Sequence, residues 1–416
     1  MTKLGHVLTR VRASSRELAL LPEAKIKAVL KDCAIALKRE QSAILAVNQQ
    51  DLSRLEPASP LYARLELTKE KISDIAAGLK QIANLPSPLN RILESRTLPN
   101  GLKLSRRSVP LGVIGVIYES RPNVTADVFA LAFKSGNACV LKGGKEAQRS
   151  SAAIIKIIKK ILRRHGINPY VVELISGGRS EAQQLMRARG LVDLIIPRGG
   201  PGLISYVRDH ATVPVIETGA GVVHTYVDAN VNVAQAARII DNAKTNRPAA
   251  CNALDTLLVH RAQLKNLPRL VAPLARSRVI IFADAKSYRA LASHYPAELL
   301  RPATAKHFGR EFLALQLAVK SVDNLDEALA HINRHSSQHS EAILSADKQN
   351  CERFLAEVDA AVVYGNAATT LSDGGVFGLG AEVGISTQKL HARGPMGLSA
   401  LTTYKWIARG TGQIRR

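Results

Sequence analysis

Aromatic side chains are scarce in this chain: Phe, Trp and Tyr make up 4% of its 416 residues, with a single Trp. Hydrophobic residues still reach 46%, so the interior is aliphatic, and a chain this long is expected to form two or three domains. Cysteine is scarce too. Cys33, Cys139, Cys251 and Cys351 are widely spaced and form no paired motif. That argues against a disulfide framework or a zinc site, and for a reducing, cytoplasmic setting. No uninterrupted apolar run approaches membrane-spanning length, and none follows the basic start Met1–Arg10. Neither a membrane span nor a signal peptide is expected. Acidic residues are outnumbered, 34 against 57 Lys and Arg, for a formal net charge of +23. Such a balance suits nucleic acid, an acidic membrane surface or anionic small substrates. The charge is spread along the chain, however, without a block of like charges. With so few rings for base stacking, no specific nucleic-acid binding is expected.

What is present is a regular alternation. The first ninety or so residues read as helices, among them Glu23–Lys38 (apolar at Ile26, Val29, Leu30, Cys33, Ile35 and Leu37) and Lys69–Ala83. Lys103–Val109 reads as an extended arm. Strand-like aliphatic runs follow at Val113–Tyr118, Ala138–Leu141, Val171–Ile175, Val192–Ile196 and Val213–Ile216, with helices at Asp127–Lys134, Ala147–His165, Ser180–Ala188 and Gly202–His210 between them. Strands alternating with helices predict parallel βαβ units in an open α/β sheet covered on both faces. A second such unit is expected from strands at Asp255–His260, Val279–Phe282, Phe312–Lys320, Ala342–Ser345 and Ala361–Tyr364, with helices Leu325–His335 and Lys348–Val358. From Thr369 onward the chain is Gly-rich and ends in a tail.

Three of the predicted strand ends carry glycines with a basic residue: Leu141-Lys142-Gly143-Gly144-Lys145, Ser176-Gly-Gly-Arg179 and Pro197-Arg198-Gly199-Gly200-Pro-Gly202. Ligands bind open α/β sheets at such ends, and glycine lets backbone amides reach a phosphate beside a helix N-terminus. Three turns in one sheet argue for a phosphate-bearing cofactor. The dinucleotide fingerprint G-x-G-x-x-G occurs at none of them. Cys251 lies between the two α/β units. Val233, Ala236, Ala237 and Ile240 recur at helical spacing, Asn246-Arg247-Pro248 ends that helix, and a strand follows at Leu254. A thiol in a polar helix-to-strand loop among cations and backbone donors favours the thiolate, although a cysteine is elsewhere mostly a small buried hydrophobe. Asn123, after Tyr118-Glu-Ser-Arg-Pro122, is either a turn residue beside proline or an amide donor to an oxyanion, together with the Cys251 N–H. Glu217 and Glu311 adjoin strands as ordinary carboxylates. The histidines show no ligand spacing.

Taken together, Val109–Thr125, Ile196–Gly200, Asn242–Asn252 and Phe377–Gly397 resemble the γ-glutamyl phosphate reductase family, the glutamate-5-semialdehyde dehydrogenases of the aldehyde dehydrogenase superfamily. The likeness runs over almost the whole chain, including the tail at Tyr404-Lys-Trp406. It implies an α/β fold with a Rossmann-like cofactor domain (residues 1–244, with 100–110 part of an oligomerisation arm). A catalytic α/β domain (245–368) and a Gly-rich active-site segment with a C-terminal oligomerisation tail (369–416) complete it. The implied activity is reduction of L-glutamyl 5-phosphate by NADPH to the semialdehyde and phosphate, through a thioester on Cys251, in a cytoplasmic homo-oligomer with a glutamate 5-kinase as possible partner.

The resemblance gives Asn123 the oxyanion role and Lys142, with Gly143 and Gly144, contact to the adenosine ribose or its 2′-phosphate. It sets Arg198, Gly199 and Gly200 in the cofactor site and Glu311 on the nicotinamide ribose, with no metal. Glu217 matches the carboxylate that activates water in hydrolytic aldehyde dehydrogenases, which a reductase does not need. This chain departs from the family pattern at Thr370, where an Arg is common, at Lys142, where several members carry Arg, and at Gln316, where several carry Asp. A hydrolytic aldehyde dehydrogenase is the competing enzyme reading. A basic nucleic-acid-binding protein on a retired enzyme scaffold would require degraded motifs, and these are intact.

Overall fold

The computed structural model describes residues 2–119 and 121–415 and divides into two compact units, one of Met1–Thr218, Gly378–Gly384 and Met396–Arg416, the other of Gly219–Phe377 and Ile385–Pro395. Ser120, within the Tyr118–Pro122 motif, lies outside the described residues.

In the first unit the N-terminal helices form as their apolar spacing predicts. Helix Glu23–Arg39 buries Ile26, Val29, Leu30, Cys33 and Leu37, whereas Ile35, which the sequence put on the same stripe, is exposed. It is two residues from Cys33 and Leu37, half a turn off the buried face. Helix Lys69–Asn84 is capped by Thr68, whose hydroxyl accepts the Lys71 N–H. Strands β1 (Ile92–Thr97) and β2 (Lys103–Pro110) form an antiparallel sheet with the C-terminal strand Thr402–Arg409. The expected arm is thus the middle strand of three.

Four parallel strands follow: β3 (Val113–Tyr118), β4 (Ala138–Lys142), β5 (Val172–Leu174) and β6 (Leu194–Arg198), in the order β5-β4-β3-β6. All six residues of β3 are buried, as a strand covered on both faces requires. Connections leave β3 first towards β4 and later reach β6 on its other side, so the carboxyl ends of β3 and β6 flank a topological switch point. The strand expected over Val213–Ile216 does not form. Pro214 has no N–H for a ladder, so the segment contributes only a bridge between Val215 and Ile195.

The second unit is built on seven parallel strands ordered β10-β9-β11-β8-β7-β12-β13. They are β7 (His224–Val227), β8 (Thr256–His260), β9 (Ile280–Ala283), β10 (Leu300–Pro302), β11 (Gln316–Val322), β12 (Ser340–Leu344) and β13 (Val362–Gly365). Alternate strand residues feed two cores: Val227, Leu257, Val259, Leu317 and Val319 on one face, and Tyr226, Leu258 and Val322 on the other, where Phe354 of helix Lys348–Glu357 packs with them.

Strand β7 was not expected, and it moves the domain boundary. It pairs with both β8 and β12, which brings residues from Gly219 onward, including helix Val233–Thr245, into the unit of Cys251 instead of ending the first domain at 244. The segment expected as one C-terminal piece, 369–416, is likewise divided between the units. Strand β11 starts at Gln316 and not at Phe312, since Leu313 adopts a positive φ of 51° and the Phe312 N–H donates to a side chain, not to the ladder.

Candidate active site

Cys251 owes its place to the way helix Val233–Thr245 stops. Pro248 cannot continue the helix, and the chain passes through consecutive turns, with Ala250 N–H donating to Arg247 O (3.0 Å) and Ala253 N–H to Ala250 O (3.1 Å). The loop closes where Leu254 N–H donates to Ala243 O (2.9 Å), after which the chain enters β8. Cys251 is therefore presented at the amino-terminal edge of the sheet, half-buried. The other cysteines differ. Cys33 and Cys139 are buried, and burial pushes both thiols up to about 12. Burial also raises Cys351, with Asp228, Asp347 and Glu352 adding to it.

The loop is fastened on several sides. The Asn252 amide donates to Ser372 O (2.9 Å) and Thr370 O (3.2 Å), and Thr369 Oγ1 donates back to Asn252 O (2.8 Å). Thr370, the position where an Arg is common, donates its hydroxyl to Asn242 (2.9 Å). Gly221 lies so close that a Cβ there would come within 1.4 Å of the Cys251 carbonyl oxygen. The Gly221 N–H donates to Glu311 Oε1 (2.8 Å), and burial raises the Glu311 carboxyl despite that bond. Glu311, expected at a cofactor ribose, thus stands beside the nucleophile loop.

Beneath the loop lies a buried ion pair that sequence reading missed. Lys244 and Asp255, both fully or almost fully buried, are 3.7 Å apart. Burial holds the Lys244 ammonium down at about 8 and raises the Asp255 carboxyl to about 6. The signal was present: Lys244 falls four residues after Ile240, on the apolar stripe of its own helix.

The remaining expected residues belong to the first unit. All three glycine turns follow strand carboxyl ends, as predicted, but they are not alike. Glu181 folds back into the turn after β5, accepting the Gly178 N–H (2.7 Å). Glu119 enters the turn after β6 and accepts the Gly200 N–H (2.9 Å), and a Cβ on Gly199 would meet that carboxylate at 2.6 Å. Amides assigned to cofactor phosphates are here given to the chain's own carboxylates. At the turn after β4, Lys142 is buried, donates to Gly143 O (2.8 Å), and is held below the ordinary lysine range by burial. Gly143 lies under the Tyr118 ring, where a Cβ would approach to 3.1 Å. A lysine cation beside a glycine turn at a strand's carboxyl end is chemistry suited to a phosphate-bearing group.

Asn123 is the second residue of helix Pro122–Lys134, and its amide donates to Asp127 Oδ2 (3.2 Å). Burial raises the Asp127 carboxyl to about 6. One amide hydrogen is used in that bond and the second remains to serve another acceptor. Glu217 forms an ion pair with Arg208 (3.4 Å).

A model of the aldehyde dehydrogenase family matches residues 6–280. The chain is similar to gamma-glutamyl phosphate reductase of Chlorobium limicola, 54% identical over 412 residues and 99% of each chain. It is similar to that of Bacteroides thetaiotaomicron as well, 51% identical over 414 residues, covering 100% of this chain and 99% of the relative. Among solved structures, it resembles gamma-glutamyl phosphate reductase of Thermotoga maritima with a TM-score of 0.95 and 39% identity, each chain covered in full. An acetylating aldehyde dehydrogenase from Geobacillus thermoglucosidasius, 17% identical, shares the fold at a TM-score of 0.70, covering 99% of this chain and 97% of that one.

Proposed function

The chain belongs to the aldehyde dehydrogenase family, and within it to the gamma-glutamyl phosphate reductases, and from that membership we propose a reduction of L-glutamyl 5-phosphate by NADPH that runs through Cys251. The product is L-glutamate 5-semialdehyde, in proline biosynthesis. The single observation that carries the nucleophile assignment is the setting of Cys251. It alone among the four cysteines stands in a polar turn at a strand's amino end, fastened by its neighbours, while burial raises the other three thiols.

The chemistry follows from the groups present. The Cys251 thiolate attacks the acyl carbon, the carbon–oxygen bond to phosphate breaks, and phosphate departs with the electron pair. Phosphate is a good leaving group, so this step needs no acid from the protein. The acyl group is then held on sulfur as a thioester, an electrophile that water attacks only slowly. A nicotinamide cofactor, when bound, would supply the hydride to the acyl carbon; the carbon–sulfur bond then breaks, Cys251 leaves as the thiolate with the electron pair, and the aldehyde is released. Asn123 and the Cys251 N–H are assigned to the oxygen on which charge develops. Lys142, Gly143 and Gly144 would hold the adenosine end, with Lys142 as the cation for a 2′-phosphate. Arg198, Gly199, Gly200 and Glu311 complete the assigned cofactor site, where Glu119 would have to release the Gly200 N–H for that amide to reach a phosphate. Assembly into a homo-oligomer through the three-stranded arm, a cytoplasmic location and a glutamate 5-kinase partner belong to the same proposal.

The test is NADP⁺ reduction with glutamate semialdehyde, with and without inorganic phosphate. The reductase reading expects turnover that depends on phosphate. Phosphate-independent oxidation to glutamate would replace it with a hydrolytic dehydrogenase.

A further inference from the structure

Three stretches surround the nucleophile in the second unit: the loop carrying Cys251, the strand entry at Gly221–Val223, and the approach to β11 at Glu311–Phe312. One side chain joins all three. Asp255 Oδ1 accepts the Phe312 N–H (3.0 Å), its Oδ2 takes a longer bond from the Val223 N–H (3.4 Å), and its backbone N–H donates to Val223 O (3.0 Å). Lys244 supplies the opposite charge at 3.7 Å, while its Nζ donates to Leu254 O (2.7 Å). The pair therefore closes the base of the loop from both ends, at Lys244 and at Leu254-Asp255, with Cys251 between them.

Stability does not explain such a pair. Taking two ions out of water costs about what their attraction returns, and apolar residues of similar volume would serve as well or better. A buried ion pair does fix geometry, because each partner has few positions in which its remaining hydrogen bonds are satisfied. Here the fixed geometry includes the close approach of Gly221 to the Cys251 carbonyl and the bond from Gly221 to Glu311.

We propose that Lys244 and Asp255 are a positioning pair for Cys251: they hold the nucleophile loop in register with Gly221 and Glu311. The proposal rests on Cys251 being the nucleophile. Neither residue touches substrate; both act through the loop.

The experiment compares Lys244→Met with the double variant Lys244→Met/Asp255→Leu. Three readouts are taken: melting temperature, kcat and KM for phosphate-dependent semialdehyde oxidation, and the rate of Cys251 alkylation by iodoacetamide followed by peptide mass. Lys244→Met is expected to melt early, since it strands a buried carboxylate. The double variant is expected to melt close to wild type. It should still alkylate Cys251 about tenfold more slowly, because a loop out of register no longer presents the thiol, and kcat should fall at least about tenfold with KM nearly kept. A folded double variant with wild-type alkylation and turnover would overturn the proposal and leave the pair a structural one. Failure of the underlying reading looks different: Cys251→Ser would keep its turnover.

Discussion

Gly221 and the carbonyl of Cys251 occupy space that admits no side chain between them: a Cβ on the glycine would stand 1.4 Å from the cysteine's oxygen. Because the obstruction is backbone and not a flexible side chain, Gly221→Ala cannot be accommodated by a rotamer change. The loop must move, at a cost of about 1–3 kcal/mol or more. We expect a lowered melting temperature and a loss of turnover larger than the loss of folded protein explains. Full turnover per folded molecule would show that the nucleophile tolerates displacement.

Cys251→Ser should abolish activity and leave the fold intact, because a serine hydroxyl without a base is scarcely ionised at neutral pH. Residual turnover above about a hundredth of wild type would contradict the assignment, since loss of a nucleophile removes several orders of magnitude. Substituting Cys351 by Ser should leave turnover unchanged. Alanine at the buried Cys33 or Cys139 should affect stability alone.

Lys142→Ala should reduce the preference for NADPH over NADH. A 2′-phosphate needs a cation, and lysine serves as a point charge without the fork of arginine. Comparing kcat/KM for the two cofactors in both proteins checks this. A wild-type enzyme equally efficient with both would count against the assignment.

Asn123→Ala separates two roles. As an oxyanion donor, its loss costs on the order of 10²–10³ in turnover, roughly 3–4 kcal/mol, with little change in substrate affinity. As the partner of Asp127 on the helix face, its loss lowers the melting temperature and spares turnover. A destabilised but fully active variant would assign Asn123 to structure.

Acid should destabilise the catalytic unit through His339. Burial lowers this imidazole from 6.5 to about 4, so the folded state resists a proton that the unfolded chain accepts. A group depressed on folding contributes stability that is present above its unfolded value, near pH 6.5. That contribution is lost as pH falls through about 4. It amounts to about 3 kcal/mol. Melting temperatures measured from pH 7.5 down to 4 should fall in wild type and fall less in His339→Gln. Equal slopes in the two proteins would remove His339 from the account.

The sequence by itself determined much of this protein. Aliphatic runs such as Val113–Tyr118 and Ala138–Lys142 can be stable only when covered on both faces, so the parallel α/β character followed from local pattern. Pro248 and the stripe ending at Ile240 put Cys251 in a loop, and the glycines at 143, 199 and 200 marked strand ends, because each of these constraints acts on neighbouring residues.

What the tertiary structure decided involves partners distant in sequence. Strand β7 is four residues long, and although Val222–Val227 is rich in β-branched residues, its place in the sheet depends on β8 and β12 supplying its hydrogen bonds; that pairing moved the domain boundary from 244 to 218. Glu119 and Glu181 carried no reading in the sequence; the fold brings Glu119 to Gly200, and a turn brings Glu181 back onto Gly178. Lys244 and Asp255 are eleven residues apart, yet the carboxylate's other partners are Val223 and Phe312. A buried charge is tolerated only where opposite charge and donors converge, and local sequence pattern does not encode that convergence.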